Sequence, residues 1–443
     1  MKAVHWLILL LVASFLARAA YIGAGAPLDW DSAAYAANAD YMLGNHYYFE
    51  EIRPPVYPMM LVPFALAGIM QWAPAVLGIL SLAAAFLLFR ELGGEEKALV
   101  ATAILSLSGL FYSWTTQLAV ENALVLVLSL FFLACLRAVK RDDWVIAAFA
   151  AGGIAILMRY YFAVAVVLGL GYIYLQKKSF RGWPLGIAVL AVLLVPWAAF
   201  NFVQYGDPLH SLTESASVFG GDYVNAKPLG FYLENWWQIV DVATWVLLAA
   251  GLAQYKRFSC GEWLIAAWLA AGLAMVLAAG VKEVRYFVPL LPAVAWFAAR
   301  PLWALDVDPG RRQAYKQLQA LAIIVIAISG LSVMNYAASV HAPDPCNHHT
   351  GVMLASRGLE GIVLSTHWPI TAYYSKQPVL KFWYGKTAGE LDADLAVAQW
   401  LVFKPNSDPN WTREKLDATP GLEFAGAYGP ECSQAFLYQI VKK

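Results

Sequence analysis

Five carboxylates and one guanidinium crowd a short polar stretch near the start of the chain: Asp29, Asp31, Asp40, Glu50, Glu51 and Arg53. Asp31 opens a predicted helix over 32–43, with Tyr35 one turn later. An aspartate there reads as an N-cap that accepts backbone amide protons. The helix terminus also favours its ionised form. An ionised, oriented carboxylate is what general-base chemistry on a hydroxyl requires. Asp29 is the competing second carboxylate, and Asp29-Trp30-Asp31 also forms a two-carboxylate pattern suited to a divalent cation. The run Arg53-Pro54-Pro55-Val56-Tyr57-Pro58 places a guanidinium just before a proline-started helix. Its planar donors match the oxygens of a phosphate; a lipid-headgroup anchor is the plainer reading.

More charges recur at the ends of apolar runs. Glu121 follows Gln117, Arg159 precedes Tyr160 and Tyr161, and Lys282-Glu283-Val284-Arg285-Tyr286 sits before Pro289. Ionisable groups at membrane depth are costly and tend to be paired or functional. Arg53, Arg159, Lys282 and Arg285, with Tyr286, would suit a pocket for a phosphate held at a membrane surface. Tyr35, Tyr57 and Glu121 are candidate substrate contacts in the same pocket.

These side chains need a scaffold. The chain has 443 residues, 60% apolar and only 14% charged, where a soluble domain carries about 25% charged residues. Apolar runs long enough to cross a bilayer predict about eleven spans. They fall near 3–22, 73–90, 98–114, 118–137, 143–158, 160–176, 183–203, 237–254, 262–280, 286–304 and 318–338. Basic residues fall mainly in alternate loops, on the side of Lys2. This predicts a cytoplasmic N-terminus and places the first loop (23–72), the loop 204–236 and the C-terminal tail outside. Residues 56–71 then read as a partly buried helix on the outer face. The loop 204–236, with Asp207, His210, Glu214, Asp222 and Glu234, reads as a lid or an acceptor-binding loop.

The organisation expected is an all-α polytopic membrane domain (1–340) followed by a small extracytoplasmic α/β domain (341–443). In the tail, strands are predicted over 361–366, 377–382, 400–404 and 435–441, with a helix over 368–375. Cys346 and Cys432 both fall in it, and an oxidising compartment would join them. Cys135 and Cys260 fall in or beside spans. Asn410-Trp411-Thr412 is a glycosylation sequon.

No Ser-His-Asp set, phosphate-cradling glycine loop or Cys/His metal spacing is evident. Zero formal net charge offers no bulk field for nucleic acid.

Three ordered motifs carry a family likeness. They are Trp30-Asp31-Ser32-Ala33-Ala34-Tyr35, then Arg53-Pro54-Pro55-Val56-Tyr57-Pro58, then Arg285-Tyr286-Phe287-Val288-Pro289. With the order of apolar runs, the chain resembles the lipid-linked-sugar glycosyltransferases of the C superfamily. The nearer likeness is to the protein O-mannosyltransferase and aminoarabinose-transferase branch. The resemblance implies a polyprenyl or dolichyl phosphate sugar as donor, and inverting transfer to an acceptor hydroxyl outside the membrane. It puts the loop aspartate, acting as base, at Asp31. It requires no cofactor. A lipid phosphate leaves without a general acid but needs cations to take up its charge, which Arg53, Arg159, Lys282 and Arg285 would supply. The chain lacks the large β-rich outer insertion of eukaryotic O-mannosyltransferases, so the acceptor stays open among protein, glycan and lipid. Two further alternatives stand: a metal-dependent oligosaccharide transferase using Asp29 and Asp31, and a transporter or flippase of a lipid-linked sugar. The second should show a midplane site and repeated halves, which the sequence does not.

Overall fold

Runs rich in alanine, leucine and valine, broken by glycine, proline or charge, fold here into helices. The computed structural model describes residues 3–22, 28–177, 180–220, 227–303, 323–328, 330–331, 345–358, 360–382, 388–404, 412–427 and 435–441. Among these, five helices are long and apolar enough to cross a membrane: Ala3–Ile22, Met70–Gly93, Val120–Ala138, Trp183–Tyr205 and Cys260–Ala278. Val56–Leu66, Asp143–Ile156 and Val242–Leu252 are shorter apolar helices. Most of the predicted span 318–338 lies outside the described residues, as do Asp222, Cys432, the sequon residues Asn410 and Trp411, and the Cys346 side chain.

Several expected spans are shaped by local polar chemistry. The predicted span 98–114 is broken at Ser108, whose hydroxyl accepts from the Phe111 amide and starts a new helix, Gly109–Trp114. The span expected over 237–254 is broken at Val240, between a single helical turn, Trp236–Ile239, and the helix Val242–Leu252. Asp241 caps it, accepting from the Thr244 amide at 3.0 Å and the Thr244 hydroxyl at 2.6 Å. The expected spans 160–176 and 286–304 each begin with a tighter 3-10 segment, Tyr160–Phe162 and Val284–Leu290.

The chain folds as two units. One comprises Met1–Gly23, Ile52–Tyr57 and Trp72–Val340; the other comprises Ala24–Glu51, Pro58–Gln71 and His341–Lys443. In the first, Val120–Ala138 is the central helix. Phe131 and Phe132 are fully buried in it, and Phe132 stacks on Trp268 at 4.4 Å. Outer faces are apolar and exposed, as at Leu16, Val192 and Val203, a surface that fits lipid rather than water.

Helix Ala3–Ile22 buries only Ser14 and Arg18. The Arg18 guanidinium donates to Thr115 Oγ1 at 2.7 Å and Ser14 Oγ at 2.6 Å, and lies 5.0 Å from the Tyr112 ring centre. A buried cation in an apolar helix is tolerated only with such partners.

Close helix approach depends on glycine at one position in particular. A Cβ on Gly251 would lie 1.9 Å from the Phe297 carbonyl oxygen. Backbone cannot yield as a side-chain tip does, so Gly251→Ala should force helices Val242–Leu252 and Leu291–Trp303 apart. The expected loss is about 1–3 kcal/mol, read as a lowered midpoint of thermal unfolding in detergent.

The second unit contains the sheet. Strands β1 (Val363–Ser365), β2 (Val379–Lys381), β3 (Trp400–Phe403), β4 (Leu422–Ala427) and β5 (Phe436–Ile440) run in the order β2-β1-β3-β5-β4. β1 pairs in parallel with β2 and β3, while β5 is antiparallel to β3 and β4. Leu364, Leu401, Phe403, Phe436 and Tyr438 form its core. The helix expected after β1 forms over Trp368–Ser375.

Candidate active site

Within the first unit, three remote segments meet at one buried carboxylate. Glu121 lies in the first turn of Val120–Ala138 and is fully buried. The Arg159 guanidinium donates to its Oε1 at 3.4 Å, and Arg285 Nε lies 3.9 Å from the same oxygen. Arg285 also pairs with Glu283. Its guanidinium lies over the Trp114 ring at 5.3 Å and the Tyr286 ring at 5.9 Å. Cations stacked on aromatic faces gain attraction from the ring quadrupole, which fixes the plane of Arg285.

Backbone and side-chain contacts hold these segments together. The Val56 amide donates to the Leu157 carbonyl at 3.2 Å, drawing the Arg53-Pro54-Pro55 strap beside the turn that bears Arg159. Arg53 is buried there, as is Tyr57. The loop after 226 returns to the Arg285 turn: the Lys227 amide donates to the Gly280 carbonyl at 3.1 Å, and the Tyr232 hydroxyl to the Glu283 carbonyl at 3.4 Å. The Tyr232 ring packs against Phe287.

Lys282 behaves differently from Arg159 and Arg285. It is buried, and its ammonium donates to the Ala279 carbonyl of its own turn. Among the described residues, Glu121 Oε2, Gln117 Oε1 and both side-chain amide atoms of Asn122 are buried without a hydrogen-bond partner. Unsatisfied polar atoms in an apolar interior are expensive. Their concentration at one helix start marks a place built for polar business rather than packing.

In the second unit, Asp31 sits in the first turn of helix Trp30–Met42. The helix starts earlier than the sequence indicates, and Asp29, not Asp31, is its N-cap: Asp29 Oδ1 accepts from the Ser32 amide at 2.7 Å. The capping role predicted for Asp31 is therefore taken two residues earlier. Asp31 keeps the favourable field of the helix start. Tyr35 is buried in the same helix. Among the described residues, no grouping of three or more His, Cys, Asp or Glu side chains could hold a metal.

Sequence reasoning passed over Arg18 and Trp114. Arg18 was detectable as the one charge inside the first apolar run. Trp114 carried no such signal.

Residues 56–200 match the family model described as dolichyl-phosphate-mannose-protein mannosyltransferase. No curated protein sequence matches the chain. Among solved structures, ArnT from Cupriavidus metallidurans bound to undecaprenyl phosphate is similar, with a TM-score of 0.75 and 14% identity over 100% of this chain and 99% of that one. The archaeal oligosaccharyltransferase AglB from Archaeoglobus fulgidus, in complex with an inhibitory peptide and a dolichol-phosphate, is similar with a TM-score of 0.65 and 12% identity, over 90% of this chain and 69% of that one. The arabinofuranosyltransferase AftD from Mycobacteria matches with a TM-score of 0.58 and 15% identity, over 100% of this chain and 42% of that one. The chain thus has the fold that these solved structures share. At these identities the structural likeness defines the fold.

Proposed function

We propose that the protein is an inverting glycosyltransferase. It moves a sugar from a polyprenyl or dolichyl phosphate to an acceptor hydroxyl on the outer side of the membrane. The N-terminus is cytoplasmic, about eleven helices span the bilayer, and the C-terminal domain is extracytoplasmic. The observation that carries this reading is the buried Glu121–Arg159–Arg285 cluster. It is assembled from segments that include the Arg285-Tyr286 motif, in a fold whose solved examples include one bound to undecaprenyl phosphate.

The chemistry assigns roles residue by residue. The acceptor oxygen attacks the anomeric carbon while the bond from that carbon to the phosphate oxygen breaks. The acceptor proton passes to the Asp31 carboxylate. The charge left on the lipid phosphate is taken up by Arg53, Arg159 and Arg285, with Lys282 and Tyr286 beside them. Glu121 holds two of the guanidiniums in place. Tyr35 and Tyr57 contact substrate. The sugar and the acceptor, whether protein, glycan or lipid, are to be identified by assay.

The competing reading uses Asp29 and Asp31 as ligands of a catalytic divalent cation. It is disfavoured because Asp29 is engaged as a helix cap. The discriminating experiment follows release of polyprenyl phosphate from a radiolabelled polyprenyl-phosphate sugar by the purified full chain. Transfer should persist at its untreated level after exhaustive chelation. Loss of transfer on chelation, restored by a divalent cation, would establish the metal-dependent reading instead.

A further inference from the structure

Helix Trp30–Met42 is gripped along its length by the C-terminal part of the second unit. At its start, the Trp30 ring packs edge-on against Trp368 at 4.7 Å and His367 at 5.5 Å. In its middle, Ala37 packs with Tyr47, Tyr48 and Ala372. At its end, Lys376 Nζ donates to Asp40 Oδ2 at 2.6 Å, and the Tyr47 hydroxyl donates to the same oxygen at 2.6 Å. Just before the helix, the Leu28 amide donates to the Tyr374 hydroxyl at 2.8 Å.

A second set of bonds fastens the segment after the helix. Glu50 is buried and is a hub. Its backbone exchanges two hydrogen bonds with the Asn38 side chain, at 2.7 and 3.1 Å. Its carboxylate accepts from the Tyr48 hydroxyl, from Trp368 Nε1 at 3.3 Å and from Lys381 Nζ at 3.2 Å. Lys381 also donates to Glu51 at 2.9 Å. Burial alone would lower the pKa of Lys381, but the Glu50 and Glu51 carboxylates outweigh it and raise it. The ammonium is therefore charged at neutral pH, and its stabilising contribution fades only as pH rises through that raised value.

Trp368 thus touches both ends of this arrangement: its ring carries Trp30 and its indole N–H carries Glu50. Trp30 is the residue next to Asp31. We propose that Trp368 and Lys381 are positioning residues for the carboxylate at Asp31, so that the C-terminal domain is part of the catalytic apparatus rather than an appended module. The inference rests on Asp31 being the base. A base must be held within hydrogen-bond reach of the proton it takes, and a helix bearing it needs rigid support to do so.

The test uses the full chain in detergent, with three variants: Lys381→Met, Trp368→Phe and the conservative Lys381→Arg. Lys381→Arg keeps a cation between the Glu50 and Glu51 carboxylates and so guards against simple unfolding. Hydrogen–deuterium exchange over residues 30–42 is read alongside transfer kinetics. Lys381→Met should speed exchange there and lower kcat by about 10²-fold, the cost of a small displacement of a reacting group, with donor KM unchanged. Trp368→Phe keeps a ring but loses the N–H, and should move both readouts the same way by less. Lys381→Arg should keep both readouts close to those of the unsubstituted chain. Unchanged deuterium exchange in Lys381→Met overturns the clamp. Faster exchange with unchanged kcat, while Asp31→Asn is inactive, overturns the positioning role. Faster exchange with unchanged kcat and an active Asp31→Asn overturns the base reading, and the positioning role with it.

Discussion

Asp31→Asn is expected to lower kcat for sugar transfer by about 10²–10⁴-fold, the range that a positioned acid or base contributes. The substitution preserves shape and removes the proton acceptor. The structure explains why folding should survive it. Asp29 performs the capping of helix Trp30–Met42, so Asp31 is dispensable as a cap. Asparagine in a first turn gives up the favourable interaction of a negative charge with the helix dipole, about 0.3–1 kcal/mol. Donor KM should hold, because the proton moves in the transition state and a base on the acceptor side adds little to donor binding. Asp29→Ala is the matched control. It should cost about 0.5–2 kcal/mol of stability through the lost cap, with a smaller effect on turnover. The readouts are donor kinetics and thermal unfolding of both variants. Full activity in Asp31→Asn would remove that residue from the mechanism.

The contrast between Asp29 and Asp31 shows how far a sequence can be read. The alanine-rich run 33–39 made the helix legible, but two aspartates two residues apart compete for one cap. Only the backbone at Asp29, extended at φ −74° and ψ 178°, decides which one holds it. The tail helix Trp368–Ser375 was legible because Pro369 suits a first helical turn and the flanking strands are apolar. Strand β4 was not legible. Its sequence Leu422-Glu423-Phe424-Ala425-Gly426-Ala427 carries a glycine at an irregularity in pairing, and most of the strand is exposed at the sheet edge. Such edges lack the alternation on which pattern reading depends. Ser108 hid a break in an apolar run because a serine in a span is unremarkable until its hydroxyl is seen to cap. In the candidate site, each arginine and glutamate was visible as a costly charge. Their partnership was not. Periodicity relates residues along one helix, whereas Glu121, Arg159 and Arg285 come from three separate segments. Lys282, grouped with the arginines by charge and position, turns to its own backbone, which no pattern in the sequence foretells.

The Glu121 cluster makes a prediction that separates binding from catalysis. Arg285→Ala should lower kcat/KM for the lipid-phosphate donor by about 10²–10³-fold, the usual effect of removing one preorganised donor to a developing anion. Donor KM should rise, since a guanidinium also binds the ground-state phosphate. Glu121→Gln should act otherwise. It removes the carboxylate that Arg159 donates to and that Arg285 approaches, leaving their positive charge less compensated. Ground-state attraction for a phosphate should then be kept or strengthened, so donor KM should hold or fall. The guanidiniums lose the acceptor that aims them, so kcat should fall. Stability should fall too, because breaking a buried pair by removing one partner costs about 3–5 kcal/mol. The Arg285→Ala and Glu121→Gln double variant should then lose less stability than the two single losses combined, since the groups are in contact. Donor titrations and thermal unfolding of the three variants measure all of this. If Glu121→Gln raises donor KM as Arg285→Ala does, Glu121 contacts the donor itself and is not simply the holder of its cations. If neither variant alters donor kinetics, the cluster is structural and the phosphate binds elsewhere.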